Sequence, residues 1–294
     1  MNTNSLSERA MLVSLNIRRW SAALTDKKIT LEVAAKHAVN EKRAGRYRKY
    51  AIDTKALTFE AVGTAASALR NKHYFYTLPW SHDGARILPA AMFEQYSQET
   101  RALKTLFEKA VEAFLADYPL LKAAARVELN GMYNENDYPV NMAAKFGVDI
   151  KMMNLPDEAD FRVSLPDAAV AEIKQGIQTE MAKTLQIAMR DPYERLYEHI
   201  SRMVARLSEK GGVVRDTLVS GLADLCAVLP GLNLTNDPQL EDLRRRAERM
   251  IQNINPQELR DHPAVRRSVA RQATEIQQLM AGFMGAAPSE EEAA

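Results

Sequence analysis

Hydrophobic and polar positions alternate in a few short stretches of the chain and follow a helical period nearly everywhere else. Met11, Val13, Leu15 and Ile17 lie two apart, which predicts a strand over residues 11–17. A helix over 11–24, with Leu15, Trp20 and Leu24 on one face, is the alternative. Phe161, Val163 and Leu165 alternate with Arg162 and Ser164, predicting a strand over 161–165. Residues 148–154 also read as extended. These strands are expected to share one small sheet.

Helical periodicity covers the rest. Thr30 is placed to cap a helix over 31–43, and Leu57, Val62, Ala65, Ala66 and Leu69 stripe a second over 56–71. Pro79, Pro89 and Asp83-Gly84 exclude a continuous helix through 73–91 and predict a turning loop. A long stripe, Met92, Tyr96, Leu103, Leu106, Phe107, Ala110, Phe114 and Leu115, then predicts a helix over 90–118. Pro119 starts a further helical turn or two, to about Leu129, and a short helix follows over 140–146. From Pro166 onward the chain reads as helices over 168–189, 192–210, 213–229, 239–254, 256–261 and 263–284. Prolines and glycines punctuate them. The predicted fold is mainly α with a small β-sheet and long antiparallel helices: an α+β N-terminal part and an all-α C-terminal part. The expected division is a disordered leader at 1–10, an α+β domain over 11–165, a helical domain over 166–285 and a disordered acidic tail at 286–294. Helices of this length favour an elongated shape or self-assembly through helices.

Composition narrows the class. Charged residues make up 26% and hydrophobic ones 46%, as in globular chains. The single Cys226 excludes an internal disulfide framework and reads as a small buried residue. No apolar run approaches the ~18 residues of a membrane span. The first residues lack a signal-peptide pattern. A cytoplasmic protein with no membrane partner is expected. The net charge of +1 conceals an excess of Lys and Arg, roughly two to one, over residues 1–90.

Catalytic signatures do not emerge. There is no phosphate-binding Gly-x-x-x-x-Gly-Lys-Ser/Thr and no His-Glu-x-x-His. His37, His73, His82, His199 and His262 lack metal-ligand spacing, and no cofactor is implied. His73, His82 and Asp83 could meet across their loop, but polar loop residues capping the backbone are the better reading. The same holds for the turn at Asn134, Glu135, Asn136 and Asp137. Arg244, Arg245, Arg246 and Arg249 share a helix with Glu241, Asp242 and Glu248, a pattern of salt-bridge lacing. The 13 methionines read mainly as core.

Two stretches carry candidate binding chemistry. Lys42, Arg43, Arg46, Tyr47, Arg48, Lys49 and Tyr50 interleave cations with flat rings, as a sequence-tolerant single-strand nucleic-acid site requires. A solvated helix end with its tyrosines packed down is the competing account. In the loop, Tyr74, Tyr76 and Trp80 can anchor on the core. Trp80, His82 and Arg86 are the candidates for contact with a partner.

Three motifs carry a resemblance: Leu12-Val-Ser-Leu-Asn-Ile-Arg-Arg-Trp20, Thr77-Leu-Pro-Trp-Ser-His-Asp-Gly-Ala-Arg-Ile-Leu-Pro89 leading into Phe93-Glu-x-Tyr96, and Asp160-Phe-Arg-Val-Ser-Leu165. Over roughly residues 11–285 the chain resembles a bacterial and phage domain family of unknown function. Its members are often encoded beside MoxR-type (cobaltochelatase-like) AAA ATPases. The family carries no catalytic residues to transfer. The resemblance implies a non-enzymatic, oligomerising scaffold or adaptor of such an ATPase, associated with phage or mobile elements. The alternative is a single-strand nucleic-acid-binding protein of phage replication, recombination or defence.

Overall fold

A computed structural model describes residues 6–80, 84–156, 166–209, 213–252 and 254–284. The predicted strand at 161–165, His82, Asp83 and the acidic tail lie outside these residues. Leu6 is buried and Arg9 turns back on it, so packed chain begins inside the expected leader.

The protein is mostly helical with a small antiparallel sheet, α+β in its N-terminal part and all-helical in its C-terminal part. The strands are β1 (Ala10–Arg18), β2 (Ala23–Thr25), β3 (Arg48–Tyr50), β4 (Leu78–Pro79), β5 (Ala85–Pro89) and β6 (Gly147–Met153). The helices are α1 (Lys27–Lys36), α2 (Leu57–Tyr76), α3 (Phe93–Leu129), α4 (Asp167–Ser208), α5 (Thr217–Leu232), α6 (Pro238–Ile251), α7 (Pro256–Asp261) and α8 (Pro263–Met284). One sheet has the order β4-β5-β1-β6; the other pairs β2 with β3. The strand predicted at 11–17 is therefore present. The loop predicted over 73–91 is not a simple loop: its first residues extend α2 to Tyr76, β4 and β5 pair antiparallel, and Ala90–Met92 form a 3-10 turn.

A boundary near 165–166 separates the chain by secondary-structure content, but packing groups it differently. Unit 1 comprises Met1–Ser14, Tyr74–Gln95 and Met152–Ala294, and unit 2 comprises Leu15–His73 and Tyr96–Lys151. Both long helices run through prolines expected to interrupt them, Pro119 in α3 and Pro192 in α4. A proline removes one backbone hydrogen bond. Buried residues on both sides, Phe114 and Ala125 in α3, Ala188 and Leu196 in α4, hold each helix in place across the gap.

In unit 1, α8 runs antiparallel to α4. Arg266 donates to the carbonyls of Arg206, Leu207 and Glu209, closing the end of α4, while Gln277 farther along α8 reaches back to Ser201. Leu196, Ile200, Met203 and Leu207 of α4 and Val269, Ala273, Ile276 and Met280 of α8 are buried at spacings of three and four. Helices α5 and α6 pack on this pair. Leu222, Leu225, Cys226 and Leu229 of α5 and Leu240, Leu243, Ala247 and Met250 of α6 are buried in turn. Burial of each large side chain contributes about 1.5–3 kcal/mol. Cys226 is a free buried thiol, as its helix position suggested, and burial raises its pKa to about 11. Among the described residues no helix is long and apolar enough to cross a membrane.

In unit 2, α2 and α3 close over a cluster centred on Phe107, Phe114, Val62, Ala66 and Leu69. Trp20, Phe59, Tyr118 and Phe146 contribute rings at 5–6 Å, edge-on or tilted. Immediately after Trp20 come β2, α1 and β3, which carry the candidate site.

Candidate nucleic-acid interface

The local structure over 23–50 differs from the predicted helix over 31–43. Helix α1 begins earlier, at Lys27, because Asp26 caps it by accepting the Ile29 N–H at 3.1 Å. Thr30, the expected cap, has another task. Its hydroxyl donates to the Asp26 carbonyl at 2.7 Å and accepts the Tyr47 N–H at 3.0 Å. The Asp26 N–H in turn donates to the Tyr47 carbonyl at 3.0 Å. Tyr47 is thus clipped through its backbone to the start of α1 while the residue stays 40% exposed.

Beyond Tyr47 the chain enters β3, antiparallel to β2, with Thr25 opposite Arg48, Leu24 opposite Lys49 and Ala23 opposite Tyr50. Alternation across the strand then separates the three basic-aromatic residues. Arg48 and Tyr50 point outward opposite small residues, and Tyr50 is 58% exposed. Lys49 points inward and is only 8% exposed. Its ammonium lies 3.0 Å from Asp26, 2.9 Å from Asp137 and 2.6 Å from the Met132 carbonyl. Lys49 therefore leaves the predicted cationic strip and becomes its anchor. Desolvation works against the charged ammonium, but the hydrogen bonds to Asp137 and Asp26 outweigh it and raise the Lys49 pKa. The Ile29 N–H, then Lys49, holds the Asp26 carboxylate below its usual range.

Lys42, Arg43, Arg46 and Arg48 are exposed, and among the described residues none has a carboxylate within salt-bridge distance. Elsewhere in unit 2 several cations do: Lys55 with Glu60, Lys72 with Glu99 and Lys104 with Glu108. The charge of the whole unit points the same way. Unit 2 carries 20 Lys and Arg against 13 Asp and Glu, and the rest of the chain 19 against 25. The chain total of +1 is thus a balance between a basic unit and an acidic one.

No family model, curated protein or solved structure matches the chain.

The other predicted contact residues lie elsewhere, in unit 1. Trp80 is half-buried. Arg86 is not a free tip residue. It sits on β5 opposite Val13 and Pro79, donates to Thr77 Oγ1 at 2.7 Å and to the Thr77 carbonyl at 3.0 Å, and lies 4.7 Å from the centre of the Tyr74 ring. Arg195 of α4 reaches the same carbonyl at 2.7 Å, the Phe75 carbonyl at 2.9 Å and the Asp191 carboxylate at 2.7 Å. Burial, with the neighbouring Arg195 charge adding and Asp191 opposing, lowers the Arg86 pKa. Arg86 thus ties the hairpin to the end of α2. An Arg86→Ala variant should lose about 2 kcal/mol of stability, since charge-assisted hydrogen bonds to buried groups disappear. Denaturant unfolding reads this directly, and an unchanged midpoint would make Arg86 a surface residue again, free to meet a partner.

The remaining polar candidates are engaged in structure. His73 is buried in α2, with Nδ1 at 2.9 Å from the Tyr96 hydroxyl. Glu135 pairs with Lys122 and accepts the Tyr133 hydroxyl at 2.7 Å, and Asp137 faces Lys49. Among the described residues no group of three or more His, Cys, Asp or Glu could hold a metal ion. Arg244 bonds Glu241 and Glu248, Arg245 bonds Glu241, and Arg246 bonds Asp242, as the spacing predicts. Arg244, then Arg245, holds Glu241 at about 2. Sequence reasoning missed Asp26 and Asp137 as supports of the strip. No local signal marks them, because their partner is far away in the chain.

Proposed function

We propose that the protein is a non-enzymatic binding protein whose unit 2 holds single-stranded nucleic acid along Lys42, Arg43, Arg46, Tyr47, Arg48 and Tyr50. One observation carries the reading: four exposed cations without carboxylate partners among the described residues interleave with two exposed tyrosines on a backbone fixed by Asp26, Thr30 and Lys49. Cations neutralise phosphates, and rings offer a surface on which any base can stack. A salt series with fluorescent oligo-dT tests it. Each phosphate that the protein no longer neutralises should reduce the slope of log K against log salt by about 0.7, so Arg46→Ala with Arg48→Ala should flatten it by about 1.4. Tyr50→Ala should weaken binding by about 1–3 kcal/mol. No binding at low salt would sink the reading.

A second reading, an oligomerising adaptor of a MoxR-type AAA ATPase, draws on the resemblance and on one feature of α4. No side chain of α4 is fully buried before Met181, and Val170, Ile173 and Ile177 on its opening turns are half-buried, an apolar stripe that a partner helix would finish covering. Light scattering and co-purification with an ATPase encoded nearby test this reading. A strict monomer that leaves the ATPase behind would remove it.

A further inference from the structure

The clip that fixes Tyr47 also brings a second pair of cations to the strip. Lys27 and Lys28 follow directly on Asp26, whose N–H is bonded to the Tyr47 carbonyl, and precede Thr30, whose hydroxyl accepts the Tyr47 N–H. The Lys27 Cα therefore lies within about 10 Å of the Tyr47 Cα, given 3.8 Å between successive Cα atoms. Tyr47 is flanked in sequence by Arg46 and Arg48, and the backbone at the start of α1, which carries Lys27 and Lys28, is bonded to it. Both lysines are exposed, and among the described residues neither has a carboxylate within salt-bridge distance.

Their position breaks a local rule. The first turn of a helix favours acidic side chains, because the exposed N–H groups make that end positive. Here the first turn of α1 holds no acid and two lysines. Neither ammonium meets a carboxylate within salt-bridge distance among the described residues, although Asp26 caps the helix end beside them. Local rules are broken most often where function demands it. The helix end itself is not the receptor, because Asp26 already occupies the Ile29 N–H.

We infer that Lys27 and Lys28 form a second cationic rail of the same site. One single strand runs between this rail and the Arg46/Arg48 rail, with a base against the Tyr47 ring. The inference rests on the proposed nucleic-acid reading and adds residues that the basic-aromatic stretch does not contain.

Oligo-dT binding over a salt series, with the intact chain, separates the two claims. Lys27→Ala with Lys28→Ala should flatten the salt slope by about 1.4 and weaken binding at low salt about tenfold. Its melting temperature should stay level or rise, because two cations leave the positive end of a helix. Lys104→Ala, whose ammonium already faces Glu108, serves as the control and should leave the slope unchanged. If the wild type binds and Arg46→Ala with Arg48→Ala flattens the slope while the lysine pair does not, the second rail is wrong and the strip stands. An equal loss from Lys104→Ala would also overturn it, as diffuse charge. A wild type that does not bind at all removes the underlying reading instead.

Discussion

Lys49→Met should destabilise the protein by about 3 kcal/mol, the low end of the cost of removing one partner from a buried ion cluster. The ammonium is the common partner of Asp26, Asp137 and the Met132 carbonyl, and its side chain is 7% exposed. Methionine fills much of the same volume, so the loss reads the stranded carboxylates rather than a cavity. Adding Asp26→Asn and Asp137→Asn should recover part of it, because no unpaired charge then remains. If Lys49→Met costs under about 0.5 kcal/mol, a surface-like value, the cluster is not an anchor. The same variant should weaken the proposed nucleic-acid binding only as far as the β2–β3 pair loosens, since Lys49 does not face outward.

The cluster also sets a pH dependence whose sign is determined. Asp26 has its folded pKa below the usual 3.8, so its contribution is present above 3.8 and is lost as pH falls through the lower folded value. Lys49 has its folded pKa above the usual 10.5, so its contribution is complete below 10.5 and is lost as pH rises through the higher folded value. The gap between wild type and Lys49→Met should therefore be widest between these limits and narrow on either side. Some acid sensitivity should survive in the variant, because the Ile29 N–H is the larger cause of the Asp26 shift.

Phe114→Ala should cost about 4 kcal/mol, within the range for emptying a buried phenylalanine site. The ring is fully buried and lies 5.3 Å from Phe59, 5.7 Å from Tyr118 and 5.5 Å from Phe146. Neighbours held by α2, by α3 and by the residue leading into β6 cannot all move into the space. Trp20 packs edge-on against Phe59 and Tyr118, so its fluorescence reports on the same cluster. Phe114→Leu should cost less than half as much. A loss below about 1 kcal/mol for alanine, well under the usual range, would mean that this cluster is not the core of unit 2.

Both variants bear on the candidate site in different ways. Phe114 stabilises the unit on which the strip sits, whereas Lys49 fixes the strip itself. The exposed cations should have almost no effect on stability when replaced, because exposed surface charges contribute little to folding. A variant set that separates binding from melting in this way would place function on Arg46, Arg48, Tyr47 and Tyr50 and support on Lys49.

Local pattern determined much of this protein from the sequence alone. The period-two run of β1, the stripes of α2, α3 and α8, and the Asp-Pro start of α6 each express their structure in neighbouring residues. So do the Arg–Glu ladders of α6, whose partners are one turn apart. The tertiary structure decided the rest, wherever the deciding partner is distant in sequence. Pro119 and Pro192 read as breaks, and only packing on both sides carries α3 and α4 through them. Arg86 reads as a tip residue until Thr77 and the Arg195 cluster account for it. Lys49 looks like its neighbours Arg48 and Tyr50, yet strand alternation turns it inward, and one of its partners, Met132, is 83 residues away. A short run of mixed cations and tyrosines fits a helix end as well as a strand, so its own propensities leave the choice open. The choice falls to the strand because β2 pairs with it and Asp26 and Asp137 neutralise its one buried charge.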